Sequence, residues 1–500
     1  MPANPIPISF ETTHARTSAG WHAFYLARDR FLHEQLRRRG VGLPFAEYRA
    51  PDGNAVNVWL TPEDLRQHTL ILGATGTGKS SLIESIAELH LRNGRGFALI
   101  DLHGDLFNKV AARALLPSAS DITVLDFTQP DALPSWNPLK QIPGVDIGRH
   151  VDLLVGVLKR LYAAEDAASW AWGVKVEEIF RHILRACIES QAMATLVDVK
   201  SYLLIPSLRQ RLLESCEPET RAYFANSFGK REEMYVSAVL NKLDPFLSSL
   251  AVQRFLGSPT PSIDLLRLVD RAGTVLINLP RGFLGPTADV LGRLFLNVLQ
   301  LAVLRRESLA PASRRPFSIL LDEAHNLAHS GSGLEDLLVS ARKYRVAVTL
   351  AAQSLSLFPP SFRPHLLGNT GRQFFFRMPF AEAKALAPDL FEPLGTMWRE
   401  AVRPYDSLKD PLLTPEEEIA ARTRELANLP VGACYWLLRP RRYRARRIQV
   451  TQRTAMPIAH RDLRARIGAW MRATVVGRAG CAPLPQLDMI EIPSATDTAS

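Results

Sequence analysis

Short apolar runs bounded by turn residues alternate along the chain with longer stretches whose apolar residues recur every three or four positions. The first run, HTLILG from His68, opens onto the Gly-rich loop ATGTGKS. SLIESIAELHLR then has the spacing of a helix, stopped at Asn93-Gly94. FALIDL and DITVLDF follow as two more strand-like runs and lead into the turn-rich PDALPSWNPL. From about Asp146 strand signals cease, and HVDLLVGVLKRLY, KVEEIFRHILRACIES and VSAVLNKLDPFLSSL predict one helix after another. Strands return as GTVLINL, FSILLDE, VAVTLAAQ and RQFFFRM, each a helix length apart, and the chain ends its patterned part with CYWLLRP and RRIQVTQ.

Strands alternating with helices predict an α/β fold with a mainly parallel sheet, interrupted by an all-helical insertion. The expected divisions are a lead-in over 1–54, core over 55–145, insertion over 146–257, core with C-terminal strands over 258–481, and a disordered tail over 482–500. The lead-in reads as a helix or two and a turn near Asp52-Gly53-Asn54.

Composition changes this picture little: 47% hydrophobic and 22% charged residues are ordinary for a globular chain. No uninterrupted apolar run approaches the ~20 residues of a membrane span, and the N-terminus lacks a secretory signal. The expected location is cytoplasmic, or peripheral to a membrane complex. Cys187, Cys216, Cys434 and Cys481 are far apart and form no CxxC pair, so they are expected to be reduced and to hold no metal. Charge is uneven, because Arg439 to Arg478 holds twelve arginines against the single acid Asp462. Arg441, Arg442, Arg444, Arg446 and Arg447 are therefore candidate contacts for a polyanion; the competing reading pairs them with acids elsewhere.

The candidate chemistry begins with Gly73-Ala74-Thr75-Gly76-Thr77-Gly78-Lys79-Ser80, which fits GxxxxGK[ST] between a strand and a helix. Glycines let backbone N–H groups approach phosphates at a helix N-terminus, and with Ser81 this segment is the expected nucleotide-binding set. Lys79 is expected on the β- and γ-phosphates and the Ser80 hydroxyl on Mg²⁺. Asp322 and Glu323 end the apolar run FSILL, Asp322 as the second Mg²⁺ group and Glu323 as the base that polarises water. Gln353 ends the run VAVTLAA where it could read the γ-phosphate; a structural glutamine is the alternative. His325 and Asn326 fit either a ligand contact or a helix cap. Arg342 and Arg372 are the candidates for an arginine given to a neighbouring subunit's site. The expected reaction is hydrolysis of ATP with Mg²⁺.

GATGTGKS, IDLHGDL, the WNPL turn, LLDEAHN and ARKYRVAVTLAAQS together resemble the HerA/FtsK superfamily of RecA-like P-loop ATPases. The resemblance covers about residues 55 to 450 and is to the conjugative coupling proteins of type IV secretion, TraD/TraG type, without their N-terminal transmembrane pair. It implies a ring, commonly a hexamer, with ATP between subunits, DNA in the channel and a secretion or mobile-element protein as partner. It places Lys79 and Ser80 on the P-loop, Asp322 and Glu323 on the Walker B pair and Gln353 on the strand-borne glutamine, and it favours Arg342 over Arg372. A secretion or assembly ATPase acting on protein, and a nucleotide-gated subunit of a defence complex, are the alternative functions.

Overall fold

The computed structural model describes residues 35, 37–39, 41–49, 54–115, 121–141, 145–161, 173–190, 194–328, 333–393, 413–439, 445–452 and 458–476. Its strands in chain order are β1 (Leu43–Arg49), β2 (Ala55–Leu60), β3 (Thr69–Leu72), β4 (Gly96–Asp101), β5 (Ile122–Asp126) and β6 (Thr274–Asn278). They continue with β7 (Phe317–Leu321), β8 (Val346–Ala352), β9 (Arg372–Phe376), β10 (Ala433–Leu438) and β11 (Arg446–Val450). The chain forms two compact units, one of Met1–Gly94, Ser318–Ser330 and Glu335–Thr454, the other of Arg95–Phe317, Gly331–Leu334 and Ala455–Ser500.

In the first unit the strand order is β2-β1-β11-β10-β9-β3-β8-β7. β3 lies between two parallel neighbours, Thr69 opposite Thr349 of β8 and opposite Arg372 of β9. All four residues of β3 are buried, as both-face coverage of a parallel strand requires. The α/β class holds, with an antiparallel arm added: β10 runs against β9, β11 against β10, and β1 against β11. Phe45, Phe374 and Trp436 lock this arm, Trp436 stacked on Phe374 at 5.8 Å and Phe45 edge-on to both at 5.9 and 6.1 Å. Each such contact is worth about 0.5–1.5 kcal/mol beyond the area it buries.

The lead-in corrects the sequence reading. Gln35, Arg37 and Arg38 are helical, but between them and the core LPFAEYR and AVNVWL form the β1–β2 hairpin the reading lacked, Arg49 opposite Ala55, with the Asp52-Gly53 step between them in the chain. Both runs alternate buried and more exposed positions over most of their length, Phe45 and Tyr48 being buried in one and Val58 and Leu60 in the other, the pattern of strands with one face on a core.

The second unit carries the parallel order β4-β6-β5, with Asp101 and Asp126 both opposite Asn278. Between Ile147 and Leu256 every described element is helical. The WNPL turn is where that segment is tied down: Trp136 N donates to Phe255 O at 2.7 Å and Asn137 Nδ2 to Ala194 O at 2.9 Å. Phe127, Phe255 and Phe295 close the core beneath it, at 5.1 to 6.3 Å. Among the described residues Thr287–Ser308 is the one helical stretch long and apolar enough to cross a membrane; most of it is buried inside this unit. Arg293, Asn297 and Gln300 interrupt its apolar sequence. A further helix, His460–Val476, packs on β5 where the sequence reading saw only arginines. The expected tail over 482–500 lies outside the described residues. Cys187, Cys216 and Cys434 are buried.

Candidate nucleotide site

The site grows from the end of β3. Gly73 N donates to Ala352 O of β8 at 3.2 Å, and Ala74 N to Arg377 O just past β9 at 2.8 Å, so the loop is clamped between both parallel neighbours. Thr77, 1% exposed, closes the turn by donating its hydroxyl to Ala74 O at 2.7 Å. Gly76 and Gly78 take φ of +74° and +115°, which a β-carbon disfavours. At Gly78 space is short as well, for a β-carbon would meet Gly432 Cα at 3.1 Å and Phe376 Cε1 at 3.2 Å. The helix Lys79–Arg92 then begins, its first N–H groups facing the loop.

Lys79, 5% exposed, donates from Nζ to Gly73 O at 2.6 Å and Ala74 O at 3.1 Å. Burial pushes its pKa down, and the Glu323 and Asp322 carboxylates pull back upward. The ammonium is thus held against the loop with two carboxylates in its field and few waters around it, the setting in which a phosphate becomes a strong ligand.

Strand β7 delivers the carboxylates. Ser80 Oγ donates to Asp322 Oδ2 at 3.4 Å, a long bond that joins residues 242 positions apart. Hydroxyl and carboxylate oxygens side by side are the donor set a Mg²⁺ ion takes. Glu323 is left-handed, φ +49° and ψ +46°, and its own N–H donates to Asp322 Oδ1 at 3.0 Å. For a side-chain-bearing residue this backbone costs on the order of 1–3 kcal/mol, and such strain concentrates at working sites. It turns a 7%-exposed carboxylate toward Gln353, whose Nε2 donates to Oε1 at 3.3 Å. His325 Nδ1 lies 3.4 Å from the other oxygen, without hydrogen-bond geometry. Ala324–Asn326 form a single 3₁₀ turn.

The structure therefore gathers the Gly73–Ser81 loop, Asp322, Glu323 and Gln353 at the C-terminal strand ends. It does not bring the arginines there. Arg372 begins β9 at the other end of the strands, is 1% exposed and donates to Thr69 Oγ1 at 2.8 Å. A guanidinium enclosed in its own sheet cannot reach a neighbour, so Arg372 is withdrawn as a candidate for that role. Arg342, in the turn before β8, is exposed. Of the basic cluster, Arg441, Arg442 and Arg444 lie outside the described residues. Arg447 Nη1 bonds Glu425 Oε1 at 3.0 Å, and Arg446 Nη1 bonds Tyr48 Oη at 3.3 Å with its guanidinium 5.7 Å from the ring. Arg447 thus has an acid as its partner, as in the competing reading, whereas Arg446 has a tyrosine.

Sequence reasoning missed the floor of the loop. Gly432, at φ +84°, donates its N–H to Thr77 O at 2.8 Å, and Gln449 Nε2 bonds Val431 O at 2.9 Å beside it. The visible signal was a lone glycine before the strand ACYWLL.

A family model described as the central domain of the helicase HerA matches residues 49–129. No curated protein matches the chain in sequence. Among solved structures, the conjugative coupling protein TrwB without its first 70 residues aligns over 80% of this chain and 87% of its own, at 17% identity and a TM-score of 0.55. TrwB with ADP and Mg²⁺ aligns over 80% and 89%, at 16% identity and a TM-score of 0.58. VirB4 of Thermoanaerobacter pseudethanolicus aligns over 83% and 97%, at 16% identity and a TM-score of 0.51. Residues 49–129 thus match the HerA central-domain model, and the chain as a whole shares the fold of the conjugative coupling protein TrwB.

Proposed function

We propose that this protein hydrolyses ATP with Mg²⁺ and uses the energy to move DNA, as a ring of identical subunits. The carrying observation is the convergence of Lys79, Ser80, Asp322, Glu323 and Gln353 around one strand-end loop. TrwB, whose fold this chain shares, has been seen with ADP and Mg²⁺ and with non-hydrolysable ATP and GTP analogues.

In this reading the loop N–H groups and Lys79 hold the β- and γ-phosphates. Ser80 and Asp322 would hold Mg²⁺, whose charge neutralises that developing on the phosphate oxygens. Glu323 accepts the proton of the attacking water, and Gln353 keeps the carboxylate aimed and registers whether the γ-phosphate is present. Arg342 is the residue offered to the adjacent subunit, being exposed and unable to reach its own loop from the opposite strand ends.

The test is the ATPase rate without DNA, with single-stranded DNA and with duplex DNA, with sedimentation of the same samples. Stimulation by DNA that fades as salt rises, together with a ring-sized species, is the expected result. A rate indifferent to DNA but raised by a protein substrate would favour the rival reading, a secretion ATPase.

A further inference from the structure

The helix His460–Val476 has one face committed and one free. Leu463, Ile467 and Met471, four residues apart, are buried. Trp470 Nε1 donates to Ile122 O of β5 at 2.8 Å, and Asp126 N donates to Met471 Sδ at 3.3 Å. Gln129 Nε2 adds a bond to Arg464 O at 3.2 Å, fixing the helix near its start. Arg461, Arg464 and Arg472 are exposed, and among the described residues no side chain or carbonyl pairs with their guanidinium groups. At 100° per residue these three fall within about 80° of the circumference, over a length of about 16 Å. With Arg466 the helix has four arginines against Asp462, the only acid in it.

Unpaired guanidinium groups in a row on a rigidly seated helix form a contact for a polymer of evenly spaced anions. About 16 Å spans about five phosphates of one duplex strand at about 3.4 Å each. A membrane surface fits less well, since the apolar face that would enter it is already buried in the protein. Arg446 and Arg447, the described members of the cluster read from the sequence, are occupied by Tyr48 and Glu425.

We propose that Arg461, Arg464 and Arg472 bind DNA phosphates, making this helix a sequence-independent DNA-contacting surface of the motor. The proposal rests on DNA being the substrate. Lys109, exposed on the helix Asp105–Ala114 that packs beside it, adds to the same positive field.

The test compares the full-length protein with its R461Q/R464Q/R472Q and R461K/R464K/R472K forms. Each binds a fluorescent duplex over a salt series and, separately, phosphatidylserine vesicles. The glutamine form should lose about 2.7 units from the log–log salt slope, about 0.9 for each contact, while the lysine form keeps the slope and basal ATPase is unchanged in both. An unchanged slope in a glutamine form whose Trp470 fluorescence shows the helix still docked would overturn the proposal. So would arginine-dependent binding to vesicles with duplex binding intact. If the unaltered protein bound no DNA at any salt, the motor reading itself would fall. An unchanged slope alongside tight DNA binding by the unaltered protein would sink only the role of this helix.

Discussion

Gly432→Ala probes the nucleotide loop through a residue that should touch no ligand. A methyl group there must accept φ +84°, which costs about 1–2 kcal/mol for an L-residue. It must also displace Gln449 Nε2, which would stand 2.4 Å away and now bonds Val431 O. Losing that bond costs about 0.5–1.5 kcal/mol, so the substitution should destabilise the first unit by about 2–3 kcal/mol. Gly432 N also holds Thr77 O at 2.8 Å, and a shifted turn should therefore loosen the loop and weaken ATP binding. Urea unfolding followed by tryptophan fluorescence gives the first quantity, and titration with a fluorescent ATP analogue gives the second. Gln449→Ala alone loses the same bond, so the double substitution should cost about 0.5–1.5 kcal/mol less than the sum of the two single ones, while the backbone cost stays. Stability within about 0.5 kcal/mol of the unaltered protein would refute the strain argument. A clear loss of stability with unchanged ATP affinity would instead refute the claim that this turn supports the loop.

Lys79→Ala should weaken ATP binding by about 10- to 100-fold, as expected for a charged contact of about 1.5–3 kcal/mol. Glu323→Gln should bind normally and turn over about 10²- to 10⁴-fold more slowly; equal binding losses in both would remove Glu323 as the base. Arg342→Ala should cut turnover by about 10³-fold or more, and mixing it with Glu323→Gln subunits should restore activity at interfaces joining the two intact residues. No gain in rings shown to be mixed would end the in-trans role. His68 accepts a bond from Val348 N at 2.9 Å, and burial, reinforced by Arg342, lowers its pKa from 6.5 to about 4. The folded state then binds fewer protons than the unfolded one between those values, so stability should fall by up to about 3 kcal/mol as pH drops from about 6.5 to 4. His150, also held down by burial, acts in the same direction. His68→Asn keeps the acceptor and should flatten thermal melting points over that window; an unaltered slope would show that His68 does not titrate as argued.

The strands around the P-loop were legible because each pairs a run of buried apolar residues with turn chemistry at its end. The Asp52-Gly53 step between LPFAEYR and AVNVWL was also a legible hairpin signal, hidden by the basic run just before it. Likewise the four-residue spacing of Leu463, Ile467 and Met471 was present, but the arginines around it read as a charge run. Other features could not be read from the chain at all. Arg372 is buried because Thr69, 303 residues away, offers its hydroxyl, and local pattern would place an arginine at a strand end in water. The floor made by Phe376 and Gly432 depends in the same way on which strands become neighbours. Glu323's left-handed backbone has no local sequence signature, since glycine or asparagine would be the ordinary choice there.

The position of β3 has a consequence for the making of the protein. Its hydrogen-bonding partners begin at Val346 and Arg372, so the nucleotide loop leaves the ribosome with both edges of its strand unsatisfied. At about 5–20 residues per second, the roughly 270 to 300 residues still to be made take about 14 to 60 seconds. β4, β6 and β5 can assemble in that interval, because Asp101, Asp126 and Asn278 are all synthesised before β7 begins. A message truncated or stalled before codon 346 would thus yield a chain that has its GKS motif and no means of binding ATP with it. Such a fragment would present an apolar, unpaired strand to chaperones and proteases instead.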